Sequence, residues 1–192
     1  VEVNRLYEKS PKGFEAFVKT YGEAYDAIKK ESPSTKIFSI FQLDYMRGNA
    51  KRSGKIHEPH WEILKEFEGK MDVVGFTVYP FLEYDMPEQI PEDYFTEMAA
   101  RTNLPVIITE TGWPSEAFAG IEGSEAVQRE YAQLLLEAAE TIPLNGVIWS
   151  FSHDATMPVG EGLFDHVSLK QNNGTAKEAW NEAQGKGHKK PI

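Results

Sequence analysis

The chain has 192 residues, 41% of them hydrophobic and 26% charged, enough for one sizeable core and therefore for one domain. A formal net charge of −10 argues against nucleic acid and against an anionic membrane as partner, since both repel such a surface, while neutral ligands are unaffected. With no cysteine, disulfides and thiolate chemistry are excluded. No apolar run approaches the roughly 18 residues of a membrane helix and no secretory signal opens the chain, so the expectation is a soluble protein, secreted or cytoplasmic.

In chain order, Ser10-Pro11 is a helix start signal, and Phe14, Phe17, Val18, Tyr21, Ala24, Tyr25 and Ile28 recur at the spacing of a helix with one buried stripe. The run 36–43 then predicts a strand and 60–67 a return to helical spacing. A second strand is expected over 72–80, a helix with Pro91 in its first turn over 91–101, and a third strand over 104–110. Ser124 is placed to cap a helix carrying Val127, Tyr131, Leu134, Leu135 and Ala138. A fourth strand follows over 146–154 and a last helix over 175–183. Asn173-Gly174-Thr175 fits a glycosylation sequon, although an Asn-Asn-Gly turn is the commoner explanation.

Strands that alternate with helices and are almost continuously apolar belong to parallel sheets covered on both faces, which leaves a doubly wound sheet or a (β/α)8 barrel. Strand tips near residues 2, 42, 79, 110 and 151 recur at an interval close to the roughly 31 residues per unit of a barrel of about 250 residues. No Gly-rich phosphate loop follows the first strand, as a doubly wound dinucleotide fold would want. The expected fold class is therefore α/β, a (β/α)8 TIM barrel.

The tips carry the chemistry. Glu2 and Glu110 are carboxylates three βα units apart, nearly opposite across a ring of eight, where two carboxylates can flank a bond. Retaining glycosidases use such a pair about 5 to 5.5 Å apart, one carboxyl protonating the leaving oxygen and one carboxylate attacking the anomeric carbon. Asn4, Gln42, Tyr79, Trp149 and His153 also lie at or beside tips, where each either lines a site or packs in the core. His57 and His60 in "IHEPH" lack a carboxylate or third His at fixed helical spacing, so they are expected in a solvated loop and no metal is assigned. Ser152-His153-Asp154 holds triad letters, but consecutive strand residues point to alternating faces.

The segment "IITETGWPS" resembles the nucleophile strand of the plant and microbial β-1,3-glucanase family, and "VEVNRLY" is similar to the motif ending the fourth strand in the wider clan of retaining (β/α)8 glycosidases. "GLFDHVSLKQNNGTAKEAW" resembles the family's closing stretch. The resemblance implies a retaining glycoside hydrolase acting on a β-1,3-glucan or related β-glucan or galactan, with no cofactor. It implies Glu110 as nucleophile, Glu2 as acid/base, Tyr79 as the residue holding the nucleophile and Trp149 as the floor of the cleaved sugar's subsite. The clan's Asn before the acid/base is replaced here by Val1, so Asn4 is a candidate for that polar role. Gly112 is expected to allow a tight turn, and Trp113 to offer a flat face to a sugar.

On the same resemblance the chain supplies the end of the fourth strand through the eighth helix, with residues 1–185 as the C-terminal part of one catalytic barrel and 186–192 as a frayed tail. Its expected partners are an oligo- or polysaccharide and the missing N-terminal half of the barrel. Two other readings stay open, a non-catalytic carbohydrate-binding barrel and an inactive half-barrel.

Overall fold

A computed structural model describes residues 3–51, 55–156 and 162–186. Helix α1 (Val3–Lys9) leads into the long helix α2 (Pro11–Glu31), whose first turn is closed by Ser10: its hydroxyl accepts from Gly13 N–H at 3.2 Å, and Pro11 occupies a position where no N–H is needed. The expected stripe is buried at its N-terminal end, where Phe14, Phe17 and Tyr21 meet Phe67. Further along, Ala24 and Ile28 are exposed, and the helix is held there by polar contacts instead, Tyr25 and Lys29 reaching Asp72.

Strand β1 (Phe38–Gln42) is followed at once by a short helix α3 (Leu43–Arg47) and a small hairpin of β2 (Asn49–Ala50) and β3 (Lys55–Ile56). The expected helix over 60–67 is a 3-10 helix, Trp61–Phe67. Strand β4 (Val73–Val78) is buried at every position, as a central parallel strand covered on both faces must be. Helix α4 (Tyr94–Ala100) begins after a turn in which Tyr94 N–H bonds to Pro91 O, so Pro91 precedes the helix and does not open it. Strand β5 (Val106–Thr111) and helix α5 (Glu125–Thr141) come next, the latter capped by Ser124 accepting from Val127 N–H at 3.1 Å. Strand β6 (Leu144–Val147) stops earlier than expected, but Ile148 and Ser150 still donate backbone bonds to Ile108 and Thr111 of β5. Helix α6 (Glu178–Lys186) closes the described chain. The Asn-Asn-Gly turn is present: Gly174 has φ 87° and Asn173 Oδ1 accepts from Thr175 N–H.

The four long strands form one parallel sheet in the order β1-β4-β5-β6, with helices packed on it. Each neighbour in sequence is a neighbour in space, as successive βα units require. Both outer strands leave apolar side chains exposed, Phe38 on β1 and Val147 on β6. Among the described residues no helix is long and apolar enough to cross a membrane.

Candidate active site

The register of the sheet brings three strand ends into one row. Gln42 of β1 pairs with Thr77 of β4, and Thr77 pairs with Glu110 of β5 after an irregularity at Phe76/Thr77. In β5 the carboxylate-bearing residue is the exposed one, flanked by buried Thr109 and Thr111. Glu110 points to the opposite face from its two neighbours, the face it shares with buried Val106 and Ile108, and it is exposed because it lies beyond them at the end of the strand.

Tyr79, just past β4, is buried to 8% exposure and its hydroxyl lies 3.2 Å from Glu110 Oε2 and 2.5 Å from Ser150 Oγ. Ser150 Oγ is also 3.0 Å from Thr111 O. Two hydroxyl protons must be shared among these oxygens. Thr111 O already accepts the Ser150 N–H, so Ser150 can give its proton to Tyr79 and Tyr79 its own to the carboxylate, where a charge-assisted bond is the stronger one. Burial, with the Glu110 charge as a lesser cause, holds the Tyr79 phenol far above its usual value, so it stays a donor. One carboxylate oxygen, Oε2, is thereby held, on a residue that is itself exposed.

Trp149 is half-buried, its indole N–H given to Val167 O at 2.8 Å and its ring 5.9 Å from that of Tyr131. His153 is exposed, with Nδ1 3.0 Å from Ser152 Oγ. Gln42 is partly buried and donates to Asp44. Glu2 lies outside the described residues.

Three expectations are corrected. Asn4 is fully buried, and its amide brackets the Gln42 peptide, donating to Gln42 O at 2.9 Å and accepting from Gln42 N–H at 3.0 Å. It finishes the outer edge of β1 in place of a further strand and presents nothing to a sugar. Trp113 has no exposed surface: its ring sits between Phe81 and Tyr131 and its N–H bonds to Glu122 O at 2.8 Å. A flat aromatic after a strand end packs inward here because α5 and the following loop close over it. Gly112 is not among the positive-φ residues; a Cβ there would stand 2.3 Å from Val167 Cγ1, so glycine is needed for close approach and not for a turn.

A buried acid pair behind β1 and β4 escaped the sequence reading. Asp44 is 5% exposed, and its carboxyl is pushed up to about 7, first by burial and then by the neighbouring Glu83 charge. Glu83 itself is held by Arg47 at 3.3 Å, Asn49 at 3.0 Å and Tyr94 at 2.9 Å. The only local signal was a carboxylate two residues beyond a strand tip. Because the fold keeps on Asp44 a proton that the unfolded chain releases near pH 4, stability falls as pH rises from about 4 to 7, by on the order of 4 kcal/mol. Asp44→Asn keeps the Gln42 contact and removes that slope. Urea denaturation across this window checks it, and superposable wild-type and variant profiles would contradict it.

No protein-family model matches the sequence, and no curated protein matches it. Solved structures do. An active-site mutant of Rhizomucor miehei β-1,3-glucanosyltransferase in complex with laminaritriose is similar at TM-score 0.62 and 14% identity, over 93% of this chain and 60% of that one. Ruminococcus gnavus β-glucuronidase is similar at TM-score 0.60 and 14% identity, over 91% of this chain and 30% of that one. An exo-β-agarase gives TM-score 0.58 and 16% identity, over 89% of this chain and 22% of that one. At these identities the likeness is one of fold, and the chain spans three-fifths or less of each of these proteins.

Proposed function

We propose that the chain is the C-terminal part, strands four to eight, of a (β/α)8 retaining glycoside hydrolase that cleaves a β-linked glycan, a β-1,3-glucan or a related β-glucan or galactan. The observation that carries this reading is Glu110: exposed at the end of a buried parallel strand, with Oε2 held by the Tyr79 hydroxyl. Solved structures of similar fold that bear glycan-processing names support it, as does the parallel order of the sheet with apolar residues exposed on both outer strands.

In the proposed reaction Glu110 Oε1 attacks the anomeric carbon as the glycosidic bond breaks, and Glu2 gives its proton to the departing oxygen. Glu2 then takes a proton from water, which attacks the anomeric carbon and releases Glu110 with net retention. Tyr79 is a positioning residue that acts through Glu110. Gln42, Trp149 and His153 are the proposed sugar contacts, and no cofactor is required.

An activated 2-fluoro glycoside, which forms the glycosyl-enzyme but loses it slowly, tests the assignment on the full-length protein. Peptide mapping is expected to place the label on Glu110. A label outside residues 106–115 would overturn the nucleophile assignment.

A further inference from the structure

We propose that Glu8, His57 and His60 form a binding site for a divalent transition ion of the zinc class, remote in sequence from the Glu110 motif and independent of the glycosidase reading. The two histidines lie three residues apart, and the carboxylate that meets them comes from α1, 49 positions before His57. One ligand atom from each of the three residues lies within 4.8 Å of the others.

The hydrogen bonds set the tautomers. His57 Nδ1 is 2.7 Å from the backbone oxygen of Glu58, which can only accept, so Nδ1 carries the hydrogen and, in the neutral ring, the lone pair is on Nε2. His60 Nδ1 is 3.2 Å from Glu62 Oε1, and an ionised carboxylate imposes the same choice. This is the outer-sphere pattern of metal-bound histidine, in which the far ring nitrogen donates to a carbonyl or carboxylate and so orients the ring and raises its basicity. His57 Nε2 is buried and has no hydrogen-bond partner among the described residues, although Glu8 Oε1 lies 3.3 Å away. A cation shared by that nitrogen and the Glu8 carboxylate, a proton or a metal ion, satisfies both.

The spacing suits a small ion. Zinc bonds of roughly 2.0–2.2 Å in tetrahedral geometry put ligand atoms about 3.3–3.5 Å apart. His57 and Glu8 already stand at 3.3 Å, and the His60 ring, stacked on His57 at 4.4 Å between centroids and 23° between planes, has to rotate out of the stack to bring its in-plane lone pair onto the same ion. The backbone under both histidines is held: His57 N–H donates to Gly48 O at 3.0 Å, and His60 N–H to Met46 O at 2.9 Å. Gly48, at φ 74°, admits the His57 carbonyl where a Cβ would stand 2.1 Å from it. All three side chains keep some exposure, 17% for Glu8, 22% for His57 and 24% for His60, which leaves an ion a path in and a fourth position for water. Two nitrogens and one carboxylate oxygen suit zinc among the first-row ions and do not suit magnesium or calcium. The bound ion would clip α1 to the segment following β3.

Titration calorimetry with zinc, together with the visible absorption of the cobalt(II) form, tests the site. The full chain is expected to take up one equivalent, with tetrahedral cobalt bands and a raised melting temperature, and magnesium is expected to do neither. His57→Gln and Glu8→Gln should abolish the cobalt bands, and Glu62→Gln, acting through His60, should weaken binding about 10–100-fold. Circular dichroism verifies that each variant is folded. Absence of uptake by the wild-type chain, or uptake unchanged by both His57→Gln and Glu8→Gln, would overturn the proposal.

Discussion

Glu110→Gln is expected to leave the full-length protein folded and to lower turnover of a β-glucan about a thousandfold or more, since removing a nucleophile alone costs nearly as much as removing the whole catalytic unit. The amide has nearly the shape of the acid and still accepts the Tyr79 hydroxyl, but it cannot form the glycosyl ester. Glu110 is exposed, so no packing is lost on substitution. Melting temperature and rate should therefore separate, the first unchanged and the second gone. Retention of a tenth or more of the wild-type rate would remove Glu110 from the chemistry. Tyr79→Phe should act in the same direction and less strongly, since it frees Oε2 without removing the carboxylate.

The second large effect lies in stability. Lys177, 1% exposed at the approach to α6, gives its ammonium to Asp154 at 2.6 Å and to Ser115 Oγ at 2.8 Å, with His166 O at 3.3 Å. Lys177→Met fills the same space but deprives the Asp154 carboxylate, whose side chain is 13% exposed, of its buried ammonium, leaving it the Ser168 hydroxyl and, at 3.7 Å, His166 Nδ1, and is expected to cost about 3 kcal/mol. Adding Asp154→Asn removes the stranded charge, so the double variant should be more stable than the single one. Denaturant unfolding at neutral pH measures both. A loss under about 1 kcal/mol in Lys177→Met would show that the buried pair is not what holds α6 and the loop before it.

Much of the architecture was legible in the sequence because its causes are local. The caps at Ser10 and Ser124 act within three residues, the uninterrupted apolar run of β4 reflects burial on both faces, and Glu110 stands out because a carboxylate is rare at the end of such a run. Those features determined the α/β class, the parallel sheet and the exposed acid. Sequence alone misjudged Asn4 and Trp113, since a polar residue or an aromatic beside a strand end reads the same whether it faces a cleft or the core. What decided them were partners distant along the chain: the Gln42 peptide for Asn4, and Phe81 with Tyr131 for Trp113. Gly112 likewise owes its identity to Val167, and Asp44 its proton to burial and to Glu83. The same holds for His57 and His60, which as a sequence pair lacked a third ligand and in the fold face Glu8 of α1. Periodicity and capping are encoded residue by residue along the chain, whereas the burial of a polar group and the company it keeps come into being only when separate elements are packed together.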